Sequence, residues 1–274
     1  MGFDLKPCFL LHVEMPKPPI HLNTFQALIE LVQDLRGPQG CPWDLEQNHQ
    51  TLAPYCLEET YELIEAIETG DDESLKDELG DVLFQVALHA QLAAERKAFN
   101  IEQVLLNLNE KMVRRHPHVF SDQKVSGSEE VWKNWEKIKK SEKKKVSDSF
   151  GLPNNLPALQ AAYKIGVKTQ KAGFDWSAPS DVLEKVAEEL EELKVEIKNQ
   201  DQEKMAEELG DLMFSLAQFS RHMGLEPEQV LRSANRKFES RYFKMLKLAQ
   251  EKNLDFEKLK VDEKESLWKQ IKKD

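Results

Sequence analysis

An all-α protein of two tandem helical bundles is the fold this sequence predicts, and three observations lead to it. Gly and Pro are sparse, 11 and 12 of 274 residues, while Leu, Glu, Lys and Ala dominate, which is a composition of helix formers. Apolar residues recur at helical spacing between clear breakers. One carboxylate pattern occurs twice. Glu58-Glu59-Thr60-Tyr61-Glu62 precedes Glu78-Leu79-Gly80-Asp81, and Glu188-Glu189-Leu190-Glu191-Glu192 precedes Glu208-Leu209-Gly210-Asp211, every member returning at an offset of 130 positions. Two such sets at one fixed offset mark an internal repeat.

Residues 1–20 end in Pro16-Lys17-Pro18-Pro19 and read as a loose N-terminal arm. A first helical domain is expected over 21–140. Its opening helix starts at Thr24, carries Phe25, Leu28, Ile29, Val32 and Leu35, and stops at Gly37-Pro38. Cys41-Pro42-Trp43-Asp44 reads as a loop. Two carboxylate helices follow, separated by Thr69-Gly70-Asp71-Asp72, so that they fold back on one another. A helix over Ile101–Arg115 ends at Pro117, and Ser126-Gly127-Ser128-Glu129 resembles a capping box for the next, which carries Trp132 and Trp135. The lysine run into Gly151-Leu152-Pro153 predicts a linker over 141–157. The second domain, 158–274, repeats the plan, with Ser180 or Asp181 expected to cap its first carboxylate helix.

On a helix, residues three and four apart share a face. Glu58, Glu59 and Glu62 therefore converge, as do Glu78 and Asp81, and the same holds for their counterparts in the second copy. Gly80 and Gly210 cost helix propensity and are expected to let backbones approach closely. Carboxylates at such density repel unless cations neutralise them. An all-oxygen donor set without His or Cys favours Mg²⁺ or Mn²⁺ over zinc or copper.

Lys and Arg beside metal-bound carboxylates suit a polyphosphate, and Trp offers a ring to stack on a base or sugar. Asn109-Glu110-Lys111 through Arg115 aligns with Asn235-Arg236-Lys237 through Arg241, and Trp135 through Lys139 with Trp268 through Lys272. The second copy has Lys185 where the first has Tyr55, and Lys204 where the first has Ser74. The extra positive charge makes the second copy the expected catalytic one.

The net charge of -11 argues against a general nucleic-acid binder. No P-loop signature is present. Cys8, Cys41 and Cys56 form no CxxC, and the short apolar stretch near Cys8 is bounded by Pro7, His12 and Glu14, too short to span a membrane. A cytoplasmic protein with no membrane partner is expected.

The stretches LRGPQGCPWD at 35–44, CLEETYELIEAI at 56–67, DELGDVLFQVALHA at 77–90 and RRHPHVF at 114–120 resemble the MazG nucleoside triphosphate pyrophosphohydrolases in their tandem two-domain form. The resemblance covers nearly the whole chain beyond residue 20; Asn48 departs from the Thr usual there. It implies the all-α NTP pyrophosphatase fold, Mg²⁺ dependence, a homodimer, and hydrolysis of NTPs and dNTPs to monophosphate and pyrophosphate in a housecleaning or stress role. Carried over, the metal ligands fall on Glu58, Glu59, Glu62, Glu78 and Asp81, and on Glu188, Glu189, Glu192, Glu208 and Asp211. The nucleotide side of the second copy falls on Lys185, Lys204, Lys237, Arg241, Trp268 and Lys272. In the mechanism expected, Glu189, Glu192, Glu208 and Asp211 hold the metal, Glu188 accepts the proton of the attacking water, and Lys204 and Arg241 neutralise the leaving pyrophosphate. A rival reading stays open: a nucleotide-sensing helical binding protein with one or both carboxylate sites vestigial.

Overall fold

The structure, a computed structural model, describes residues 16–142 and 149–272. The first fifteen residues of the expected arm, and 143–148 of the expected linker, lie outside the described residues. The chain divides into two compact units, Met1–Lys144 and Lys145–Asp274. Among the described residues there are twelve α-helices and no strand.

The first unit begins with α1 (Phe25–Leu35), where Thr24 Oγ1 accepts a hydrogen bond from the Ala27 N–H. The predicted loop at Cys41–Asp44 is instead a short helix, α2 (Pro42–Glu46). Pro42 stands at its first position, where its missing N–H costs nothing and its φ is already helical. Asn48 caps α3 (His49–Thr69) reciprocally with Thr51, and Gly70, at φ 73°, ends it. Asp71 then caps α4 (Asp72–Glu95), so a turn of two residues folds α4 back on α3. After α5 (Ile101–Arg115), Pro117 ends the helix as expected but also opens one further turn, α6 (Pro117–Phe120). In front of α7 (Ser128–Glu142), the N–H and hydroxyl of Ser126 both bond to Glu130, one residue beyond the expected Glu129.

The second unit comprises α8 (Ala158–Lys171), α9 (Pro179–Asn199), α10 (Gln202–His222) and α11 (Pro227–Glu251), then a 3-10 turn at Phe256–Lys258 and α12 (Val261–Ile271). Neither Ser180 nor Asp181 is the N-cap of α9: Ala178 is, with Pro179 first in the helix. Asp181 serves from inside, its carboxylate accepting the Ala178 N–H. Gln200 takes the left-handed conformation, φ 56°, that Gly70 takes in the first copy.

Apolar burial fixes each unit separately. In the first, Ile29 and Val32 of α1, Leu52 of α3, and Ala87, Leu88 and Ala90 of α4 form one core with Ile101 of α5. The second has an apolar cluster of Met245, Ala249 and Leu267 and a buried polar chain. Gln218, fully buried, donates through Nε2 to the Ala162 carbonyl and accepts the Arg221 Nε–H through Oε1. Arg221 then forks onto Asp175, and His222 joins the same carboxylate. The Arg221 hydrogen bonds hold the Asp175 carboxyl at about 2, well below its usual 3.8.

Breaking a buried ion pair strands a charge, at roughly 3–5 kcal/mol. Asp175→Ala should therefore lower the urea stability of the second unit by about that amount. In the unaltered chain the pair's contribution is fully present above the unfolded pKa of 3.8 and is lost as pH falls from there to about 2. Melts of both proteins across pH 2 to 6 would show the difference between them closing only at the acid end.

Candidate active site

The two carboxylate pairs of helices, α3 with α4 and α9 with α10, each bring acidic side chains from both partners to one place. In the first unit, oxygens of Glu59, Glu78 and Asp81 lie within 4.8 Å of one another, and in the second those of Glu189, Glu208 and Asp211 do so. Spacing on α4 and the packing of α3 against it together make the selection. Glu78 and Asp81 are one turn apart on α4, and Glu59 faces them from α3; the second unit repeats this with the same offset. Glu58, Glu62, Glu188 and Glu192 stand outside these trios and are exposed. Glu62 and Glu192 remain close enough to act on the trios electrostatically.

Burial and mutual repulsion mark both clusters as anionic sites. Glu189 is 5% exposed, and Glu78 Oε2 is buried with no hydrogen-bond partner. Burial, followed by repulsion from Asp81 and Glu62, pushes Glu59 above its usual value. Burial, then Glu192, Glu189 and Asp211, does the same to Glu208. Three converging carboxylates with an unsatisfied oxygen and no soft donor fit a hard divalent cation. Gly80 and Gly210 do not serve as expected: a Cβ on either would meet nothing within 4 Å, so among the described residues no other element's backbone approaches them.

The cations are placed differently in the two copies. Lys185 lies on the carboxylates themselves, its ammonium 2.7 Å from Glu189 and 3.0 Å from Glu188. These hydrogen bonds raise its pKa. Its first-copy counterpart, Tyr55, packs edge-on against Trp43 with ring centroids 5.6 Å apart. Ser74, the counterpart of Lys204, donates its hydroxyl to the capping carboxylate of Asp71. Arg115, the counterpart of Arg241, pairs with Glu142 at 2.5 Å and lies over the Trp135 ring. Together with Arg114 it holds Glu142 at about 2. Among the described residues Lys204, Lys237 and Arg241 form no ion pair. Trp268 packs on Phe238, centroids 5.1 Å apart, with the Lys272 ammonium over its ring.

The MazG nucleotide pyrophosphohydrolase domain profile matches the chain twice, at residues 47–120 and 177–245, so each match holds one carboxylate trio. The chain belongs to the MazG family. A MazG nucleoside triphosphate pyrophosphohydrolase/pyrophosphatase of Thermotoga maritima is 46% identical over 90% of this chain and 95% of its own length. The nucleoside triphosphate pyrophosphohydrolase of Escherichia coli K12 is 40% identical over 92% and 98%. The YabN protein of Bacillus subtilis, whose function is uncharacterised, is 42% identical over 91% of this chain and 52% of its own. Both matched segments consist of helices joined by short turns, and the ELGD sequence of each supplies two of its three clustered carboxylates.

Sequence reasoning missed the Gln218–Arg221–Asp175 chain that braces the second MazG domain. Its only sequence signal was the turn Gly173-Phe174-Asp175-Trp176, which matches Gly40 and Trp43 of the first.

Proposed function

We propose that this chain is a nucleoside triphosphate pyrophosphohydrolase, converting NTPs and dNTPs to nucleoside monophosphate and pyrophosphate, with the second MazG domain as the principal catalyst. What supports the assignment to that domain is the contrast at the positions matched between the two copies, each of which has its own carboxylate trio. In the first copy the matching positions are engaged in packing, capping and pairing through Tyr55, Ser74 and Arg115. In the second they are Lys185, Lys204 and Arg241.

Glu189, Glu208 and Asp211, with Glu192 beside them, would hold Mg²⁺, or Mn²⁺ in its place. That ion supplies charge neutralisation at the phosphates and a more acidic water. Water attacks the α-phosphorus in line, and Glu188, exposed at the edge of the cluster, accepts its proton. Lys185 turns from Glu189 toward the phosphates, and Lys204, Lys237 and Arg241 offset the charge of the departing pyrophosphate. Trp268 and Lys272 flank the nucleotide. The first MazG domain binds the metal without appreciable turnover, which keeps the binding-protein reading for that half alone. A cytoplasmic role in clearing nucleotides under stress, which the family resemblance implies, belongs to the same proposal.

The experiment is product analysis. With Mg²⁺ and a panel of NTPs, monophosphate and pyrophosphate should appear in equal amounts, with no diphosphate or free phosphate. Diphosphate as product would move the broken bond and sink the reading.

A homodimer belongs to the same proposal. Leu79, Leu83 and Val86 form an exposed stripe on α4, and Leu209, Met213 and Leu216 repeat it on α10, each between 39% and 53% exposed. Such a patch on a soluble protein marks an interaction face. Met213→Glu should shift the sedimentation coefficient from dimer to monomer; an unchanged dimer would place the interface elsewhere. Among the described residues no helix is long and apolar enough to cross a membrane.

A further inference from the structure

The first MazG domain holds a pair of titratable side chains that the carboxylate chemistry does not use. His49, the first residue of α3, and His89, eight residues after Asp81 on α4, meet across the helix pair with their Nδ1 atoms 2.8 Å apart. Their rings are parallel within 2° and their centroids lie 5.1 Å apart. That separation is the nitrogen–nitrogen distance plus one ring radius on either side, so the two nitrogens lie on the line between the ring centres. The rings are therefore close to coplanar and share one in-plane hydrogen bond. We propose that this bridge is an acid-sensitive latch: protonation of the pair breaks it and frees the start of α3 from α4, the two helices that hold the first carboxylate trio.

The placement of protons is the first argument. A neutral imidazole carries one N–H and one acceptor nitrogen. His49 Nε2 is buried with no hydrogen-bond partner, and an orphaned buried N–H is the rarer and costlier of the two states it could take. His49 thus keeps its proton on Nδ1 and donates it to His89 Nδ1. A further proton has two places to go. On His49 Nε2 it would bury a cationic donor where nothing accepts it. On His89 Nδ1 it would set two N–H groups head to head at 2.8 Å. A cation at His49 would also stand in the first turn of α3, at the positive end of the helix dipole.

The surroundings are the second. Three and four positions away on the two helices stand Leu52, Ala53, Gln85, Val86, Leu92 and Ala93, none of them ionisable. The elements around this end of the unit carry Asp34 and Arg36 on α1, Asp44 and Glu46 on α2, Glu95 on α4 and Glu102 on α5. Arg36 and Glu95 are bonded to each other. Burial first, and then the facing His49, pushes His89 below its usual value, and none of these carboxylates offsets them. The second copy has no such pair: at the offset of 130, Pro179 and Phe219 stand at the two positions.

The direction of the effect follows. With His89 held below 6.5 in the folded unit, the opened chain binds a proton that the closed one refuses. Closure is unaffected above pH 6.5 and weakens as pH falls from there. The far end of the helix pair is tied by the turn at Gly70 and Asp71, so opening starts at His49. Glu59 of the trio lies ten residues further along α3, about 15 Å at 1.5 Å per residue. The latch does not depend on what either domain hydrolyses.

The test is amide hydrogen exchange of the full chain at pH 7.5 and 5.5, each corrected for exchange of the unfolded chain at that pH. Protection over 49–57 should fall by about 10-fold at the lower pH, the loss that one proton taken up on opening produces one pH unit below the ordinary histidine value. Protection over 179–187, the matching start of α9, should hold. A chain carrying both His49→Phe and His89→Phe loses donor and acceptor together, which costs little, and in it the fall should vanish. Equal protection at the two pH values in the unaltered chain would overturn the proposal, and so would a fall that persists in the double variant. If that variant does not fold, NMR titration of the unaltered chain decides. His89 titrating at or above 6.5 contradicts the latch; titration below it, with the amide signals at the start of α3 shifting in step, supports it.

Discussion

Glu189→Gln should reduce NTP turnover by roughly 10³-fold or more while leaving the fold intact. The size follows from charge. A metal-based site supplies several kcal/mol of transition-state stabilisation, and each 1.36 kcal/mol is a factor of ten in rate. Glu189 is the buried member of the trio, 5% exposed, and the one nearest Lys185. The amide keeps its volume but removes one negative charge from the group that raises Glu208. Repulsion in the metal-free protein therefore falls, and its melting temperature should be equal or higher. Loss of activity with loss of folding would point to a structural role instead. The matching substitution in the first copy, Glu59→Gln, should leave turnover within about 2-fold.

Divalent metal should stabilise both units strongly, and each trio should account for its own share. A ligand at one hundred times its dissociation constant adds about 2.7 kcal/mol to the folded state. Thermal melts with saturating Mn²⁺ or Mg²⁺ against chelator should therefore show a rise for each unit. Glu59→Gln should remove the rise of the first unit alone, and Glu189→Gln that of the second alone. The readout is stability, so it holds whether or not the first unit turns over substrate. A melting profile that metal does not move would mean the trios are only acidic surface.

The parts of the fold that local chemistry dictates were legible in the sequence. Gly70 with Asp71 announces a helix end followed by a cap, and α3 and α4 meet there as expected. The fixed offset then gave α9 and α10, and with them both carboxylate groups. Which carboxylates meet was less legible. Helical spacing places Glu58, Glu59 and Glu62 on one broad face, but only the rotation of α3 against α4 selects Glu59 for the trio. Pro42 reads as part of a loop and the expected cap of α9 falls after Pro179, although proline at a first helical position starts a helix. The buried chain from Gln218 through Arg221 to Asp175 looks like ordinary polar surface in the sequence. Its members are 46 or 56 positions from their partners, Asp175 and the Ala162 carbonyl, so only packing unites them. Gly80 and Gly210 invited a packing explanation that the open space around them removes.

The most direct measurement is product analysis on one NTP with Mg²⁺, comparing the unaltered chain, Glu62→Ala, Glu192→Ala and the double variant. The proposal predicts equal monophosphate and pyrophosphate, retained in Glu62→Ala and lost in Glu192→Ala and in the double variant. Full activity in the double variant, or loss in Glu62→Ala alone, would contradict catalysis by the second domain's carboxylates.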